Sequence, residues 1–245
     1  MLSNLYYEDQ VSFVINNYKY ILNFLFIYTI QEMKLDLSNR GLTTLQGIDF
    51  PNNVTELILY DNLLTSLEYC PQGIQNLNCN SNQLTSLQYC PQGIRKLYCG
   101  WNQLTSLQYC PESLHELDCR YNQLTSLQYC PKNLKILFCG SNQLTSLQYC
   151  PESLKYLYCD SNQLTSLQYC PENLKKLWCN NNQLNSLNYI PKHLVSLNCS
   201  NNNLISLQSC PNCLEDLYDC NNPLSPEYQN KSLDEIKLRH LRCLI

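Results

Sequence analysis

Cysteine is the residue type in this chain whose abundance and spacing could do chemistry. There are 17 in 245 residues, and most fall in two columns with a period of twenty. One column is Cys79, Cys99, Cys119, Cys139, Cys159, Cys179 and Cys199. The other is Cys70, Cys90, Cys110, Cys130, Cys150 and Cys170, then Ile190, then Cys210. Four readings fit such a pattern: a row of metal sites, a disulfide lattice, a thiol-exchange device, or plain packing. Zinc needs four converging ligands, and His115, His193 and His240 stand outside the columns. Strands about 4.8 Å apart bring stacked cysteines within disulfide range. Equivalent side chains on parallel strands point the same way, however, and the count is odd. Free Cys behaves as a small buried hydrophobe, so both columns are expected to be free thiols that fill a core. The spacing Cys210-Pro-Asn-Cys213, with Cys220 and Cys243 nearby, suits zinc or dithiol exchange, but Cys210 is also simply the next member of its column. No metal and no cofactor is expected.

Those columns need elements to place them. Hydrophobic residues make up 44% and the net charge is −4, which permits a large core and argues against a nucleic-acid partner, for which a basic surface would be needed. Residues 11–30, VSFVINNYKYILNFLFIYTI, are the membrane candidate. They carry Asn16, Asn17, Lys19 and Asn23, which are costly in a span, so a helix with a broad apolar face is expected and a membrane anchor is not. The start, MLSNLYYEDQ, lacks a basic region and a small-residue cleavage site. An intracellular, non-secreted protein is expected.

Aligned by twenties, the chain reads L-x-x-L-x-C-x-x-N-x-L-x-x-L-x-x-C-P-x-x. Asparagine recurs from Asn62 through Asn82, Asn102, Asn122, Asn142, Asn162, Asn182 and Asn202 to Asn222, and proline from Pro71 to Pro211. Leu154-Lys-Tyr-Leu157-Tyr-Cys159-Asp-Ser-Asn162-Gln-Leu164 resembles the leucine-rich repeat consensus. The short coil with its Pro before the next Leu resembles the class found in bacterial effectors. The Asn/Tyr/Cys-rich wording resembles the leucine-rich repeat and F-box/leucine-rich repeat proteins of giant DNA viruses of the mimivirus kind.

The resemblance implies an α/β-type solenoid: a leucine-rich repeat horseshoe with a parallel concave sheet, an extended or turn-built convex side, and a helical cap at each end. Residues 1–33 would be the N-terminal cap, 34–224 the repeats and 225–245 the C-terminal capping helix. Alternation around Leu157-Tyr-Cys159 supports short strands independently, and Pro151 disfavours helix at Cys150. The Asn column should pair with backbone groups of its own and adjacent coils. Ser232-Leu-Asp-Glu235 reads as a capping box. Tyr69, Tyr89, Tyr109, Tyr129, Tyr149, Tyr169 and Tyr189 form a further column, expected to be a stacked aromatic ladder.

Function should lie where the repeat stops repeating. Positions beside the core columns carry Tyr98, Trp101, Asp118, Arg120, Tyr121, Phe138, Tyr158, Asp160 and Trp178. Trp, Tyr and Arg are the types that anchor protein interfaces, so these nine are the candidate contact residues. Catalysis finds no Ser/His/Asp order, no phosphate-binding Gly loop and no H-E-x-x-H. Asp118 and Asp160, two coils or about 10 Å apart by strand spacing, suit hydrolysis only loosely. The expectation is a non-enzymatic scaffold that binds a protein partner on its concave face. The alternative is a ubiquitin-ligase adaptor, in which residues 1–33 act as a degenerate F-box that docks a ligase subunit; if the protein is viral, either would work in the host cytoplasm.

Overall fold

The computed structural model describes residues 32–242, with side chains as far as Lys237. Ten short strands follow one another: β1 (Met33–Asp36), β2 (Val54–Ile58), β3 (Asn76–Asn78), β4 (Lys96–Tyr98), β5 (Glu116–Asp118), β6 (Ile136–Phe138), β7 (Tyr156–Tyr158), β8 (Lys176–Trp178), β9 (Ser196–Asn198) and β10 (Asp216–Tyr218). They form one sheet in sequence order. Every pair is parallel and, from β2 onward, in a twenty-residue register, with Leu57, Leu77 and Leu97 side by side. The register shifts only between Met33 and Lys34, at the pairing with β2. The chain is thus a parallel β-solenoid.

Each strand from β3 to β10 turns its central leucine inward. Leu137, Cys139, Leu144, Leu147 and Leu154 are fully buried and Cys150 nearly so, and the equivalents in the other coils join them in one continuous core. Among the described residues fourteen cysteines are buried. The cysteine columns therefore lie in the interior as leucine-like filling, since a thiol is small and weakly polar. Burial pushes these thiols up, to about 12 at Cys70, Cys170 and Cys210.

The Asn column satisfies backbone groups where the chain leaves the ladder. Asn142 Nδ2 donates to the carbonyls of Cys119, Cys139 and Gly140 at 3.0, 3.1 and 3.2 Å, while its Oδ1 accepts from Leu124 N at 2.9 Å. One side chain thereby ties together its own coil and the one before it, as the sequence leads one to expect.

Turns, not helix, build the return side. Cys150 N donates to Leu147 O at 2.9 Å and Leu154 N to Pro151 O at 3.2 Å. The first turn puts Tyr149 at φ 69, and the other six tyrosines of that column lie at 67–68, a left-handed conformation in which side chains are uncommon. These rings are 50–67% exposed, and among the described residues no ring contact pairs two of them. The expected stacked ladder is absent because each turn directs its ring into solvent.

A single helix, α1 (Leu233–Arg242), is described. Its capping box forms: Glu235 N donates to Ser232 Oγ at 3.3 Å and Ser232 N to Glu235 Oε2 at 2.8 Å. Ile236, with Leu224 and Tyr228, joins the repeat core, but the helix starts eight residues after the expected boundary because residues 226–230 form turns. At the other end Met33, expected in a helical cap, begins β1. The remaining expectations for residues 1–31, including the helical cap, the F-box-like segment and the membrane candidate at 11–30, lie outside the described residues. Among the described residues no helix is long and apolar enough to cross a membrane.

Candidate functional site

Alternation along each strand sends the residues on both sides of the central leucine to the outer sheet surface. Three positions after the strand the backbone again enters the left-handed region, at φ 49 for Trp101 and 54 for Tyr121. Successive coils then hold these side chains one strand spacing apart, close to the distance at which rings stack. Trp101 and Tyr121 stack with centroids 4.3 Å apart and planes at 13°. Phe138 and Tyr158 do so at 4.4 Å and 14°. Trp178 closes the row edge-on to Tyr158 at 5.3 Å and 76°.

Arg120 joins the two stacks. Its guanidinium carbon lies 5.9 Å from the Trp101 ring centre and 5.1 Å from that of Phe138, within cation–π range. Asp118 holds it there in a forked pair, Nε to Oδ1 at 3.0 Å and the terminal nitrogen to Oδ2 at 2.7 Å. In the coils on either side the position equivalent to Arg120 is glycine, Gly100 and Gly140, so no side chain competes for the space. At Gly140 a Cβ would come within 2.6 Å of Asp160 Oδ1. Asp160 is half-buried, and desolvation raises its carboxyl above the ordinary range.

Five of the nine candidates thus make one aromatic row, and Arg120 belongs to it. Three others sit differently. Tyr98 leaves the stacks: its hydroxyl donates to Glu116 Oε1 at 2.9 Å, and burial together with that carboxylate raises its phenol. Asp118 is only 3% exposed, so it orients Arg120 and is not itself displayed. Asp160 fills the space that Gly140 leaves. The two aspartates offer no hydrolytic pair, because Asp118 is fully engaged with Arg120.

Sequence reasoning overlooked Lys176, whose Nζ lies 4.5 Å from the Trp178 ring centre and 5.8 Å from that of Tyr158. The available signal was its i, i+2 relation to Trp178 on one strand face. At the same end, Trp178 Nε1 and Asn180 Oδ1 are buried without a hydrogen-bond partner.

The Cys210/Cys213 pair separates. Cys210 sits buried in its column, whereas the Cys213 thiol donates to Lys192 O and Leu194 O at 3.1 and 3.2 Å. Ser113 and Ser153 make the same two bonds in their own coils, so Cys213 takes the place of a serine. Among the described residues no group of three or more His, Cys, Asp or Glu side chains is placed to hold a metal.

No protein-family model matches the chain, and a search of curated proteins finds no match. Solved structures do match. YopM from Yersinia enterocolitica is 31% identical, with a TM-score of 0.65, over 71% of this chain and 39% of that one. YopM from Yersinia pestis, a leucine-rich effector protein, is 28% identical, with a TM-score of 0.61, over 70% of this chain and 56% of that one. The functional domain of InlJ from Listeria monocytogenes, which includes a cysteine ladder, is 23% identical, with a TM-score of 0.53, over 83% and 56%. The structural neighbours are leucine-rich repeat proteins, and this chain shares their fold. It spans between 39% and 56% of the length of these three.

Proposed function

We propose that the chain is a non-enzymatic scaffold that binds a protein partner across the aromatic row, on the concave side of a leucine-rich repeat horseshoe. One observation carries the reading: Trp101, Tyr121, Phe138, Tyr158 and Trp178 line up across five coils, with Arg120 fixed among them by a buried carboxylate. Trp101 and Tyr121 are 45% and 47% exposed, and contiguous exposed aromatic surface is a feature of interaction sites. A side chain already fixed in one geometry gives up little entropy on binding. The partner would supply an acceptor for Trp178 Nε1 and a donor for Asn180 Oδ1, because buried polar atoms without partners are rare. The likeness to a leucine-rich effector agrees with this role. Affinity capture with wild type beside a Tyr158→Ala/Trp178→Ala variant tests it. The expected result is loss of a specific partner with the melting temperature shifted by a few degrees at most; the same partners on both baits would refute the row as the contact.

A further inference from the structure

A second surface stands out at the edge of the sheet where the chain enters its strands. The residue just before strands β4 to β8 is Arg95, His115, Lys135, Lys155 and Lys175 in turn. The backbone stitches the column together: His115 N donates to Arg95 O at 2.9 Å, Lys135 N to His115 O at 2.8 Å, Lys155 N to Lys135 O at 2.9 Å and Lys175 N to Lys155 O at 2.8 Å. All but Lys155, which is half-exposed, are open to solvent. Other cations on the strand surface are occupied, Lys96 by Glu116 at 3.3 Å and Lys176 by the Trp178 ring at 4.5 Å. Among the described residues Arg95, Lys135, Lys155 and Lys175 form no ion pair and no side-chain hydrogen bond. Like charges side by side on neighbouring strands are destabilising, so this arrangement does nothing for the fold. It sits, moreover, on a chain whose net charge is −4.

We propose that this ridge binds an extended acidic segment of a partner protein, six or seven residues long and made mostly of Asp and Glu. Four intervals of about 4.8 Å give a track of about 19 Å, which an extended peptide at about 3.3 Å per residue covers with six or seven residues. The track ends abruptly, at Gln75 before Arg95 and at Val195 and Glu215 after Lys175. A short finite track suits a peptide. A nucleic acid depends on many phosphate contacts and on rings for its bases, and this column offers a single ring, the His115 imidazole. Glu112 shares a hollow with Arg95, His115 and Lys135, and Glu152 and Glu172 hold the same position in later coils. These carboxylates border the return-side flank in three of the four coils from Glu112 to Glu172, Lys132 holding the position in the other, and disfavour an acidic peptide on that side of the ridge. The inference is independent of the aromatic row.

Fluorescence anisotropy on the full chain tests it, with labelled heptaglutamate as the probe. Wild type should bind, with an affinity that falls as salt rises. Lys135→Glu/Lys155→Glu/Lys175→Glu should weaken binding roughly tenfold or more, from three exposed pairs of ordinary strength plus the new repulsion. Lys34→Glu/Lys231→Glu/Lys237→Glu changes net charge equally and should leave affinity within about twofold. If the ridge variant misfolds, Lys135→Gln/Lys155→Gln/Lys175→Gln replaces it. Equal losses in the two triple variants, no binding of heptaglutamate at low salt, or tighter binding of an oligothymidylate of equal charge would each overturn the proposal.

Discussion

Asp118 grips Arg120 through two parallel bonds, at 3.0 and 2.7 Å, although the two belong to the same coil and stand only two residues apart. The carboxylate is almost sealed from solvent while the guanidinium is partly open, so the fork aims a charge outward from a fixed base. Arg120→Ala should therefore destabilise by about 1–3 kcal/mol, because it leaves a buried carboxylate without its counter-charge. Adding Asp118→Asn should recover part of that loss. Urea titration of the four proteins gives the coupling, and additive losses would show the pair to be independent.

Gly140 and Asp160 form a second neighbouring pair. A methyl at Gly140 would meet the Asp160 carboxylate at 2.6 Å, closer than real contacts allow. Gly140→Ala should cost about 1–3 kcal/mol, and Asp160→Ala in the same chain should remove most of the penalty. Thermal melts of single and double variants check this.

Asn142→Ala should lower stability by about 1–3 kcal/mol or more, since it strands carbonyls of two coils and an amide of the preceding coil in a buried turn. The peptide bound on the ridge or the partner on the aromatic row should be retained at temperatures where the variant is folded. An unchanged midpoint would show that this turn is solvated.

Alkaline pH should unfold the protein steeply. Burial holds the thiols up, to about 12 or beyond, whereas an unfolded thiol titrates near its ordinary value of about 8.5. Between those values the folded state keeps protons that the unfolded state loses, so stability is full at lower pH and falls as pH rises. Each such thiol contributes a slope of about 1.4 kcal/mol per pH unit. With fourteen buried cysteines, about one unit above the ordinary thiol value suffices to exceed the roughly 5–15 kcal/mol of an ordinary domain. The midpoint of urea unfolding, followed from pH 7 to 11 without reductant, should be flat to about pH 8 and collapse above it. A flat profile throughout would mean that the sulfurs are not thiols.

What the sequence made legible is what repeats. The Asn column, both cysteine columns and the inward leucines recur at one period, and the period itself dictates which backbone groups they meet. The Ser232/Glu235 cap was readable because its signal is local. The relations that give the site its shape were not, because they run between unlike residues of adjacent coils. Asp118 looked like a displayed charge, and only its fork to Arg120 shows that it is covered on that surface and not displayed. Lys176 was hidden by a mixed column that elsewhere carries Glu, Asn, Lys, Ile, Tyr, Ser and Asp. The tyrosine column misled for a different reason: its period is regular, but stacking depends on the direction set by a left-handed turn, which spacing does not report.

The seating of Asn142 on the preceding coil is repeated almost unchanged by Asn102, Asn122, Asn162 and Asn182. Any turn of this spiral therefore offers the next one the same socket. A gene encoding it can gain or lose sixty bases by unequal exchange and still specify a sound molecule, so that overall length is free to drift while each decorated surface lengthens, shortens or is reshuffled with it.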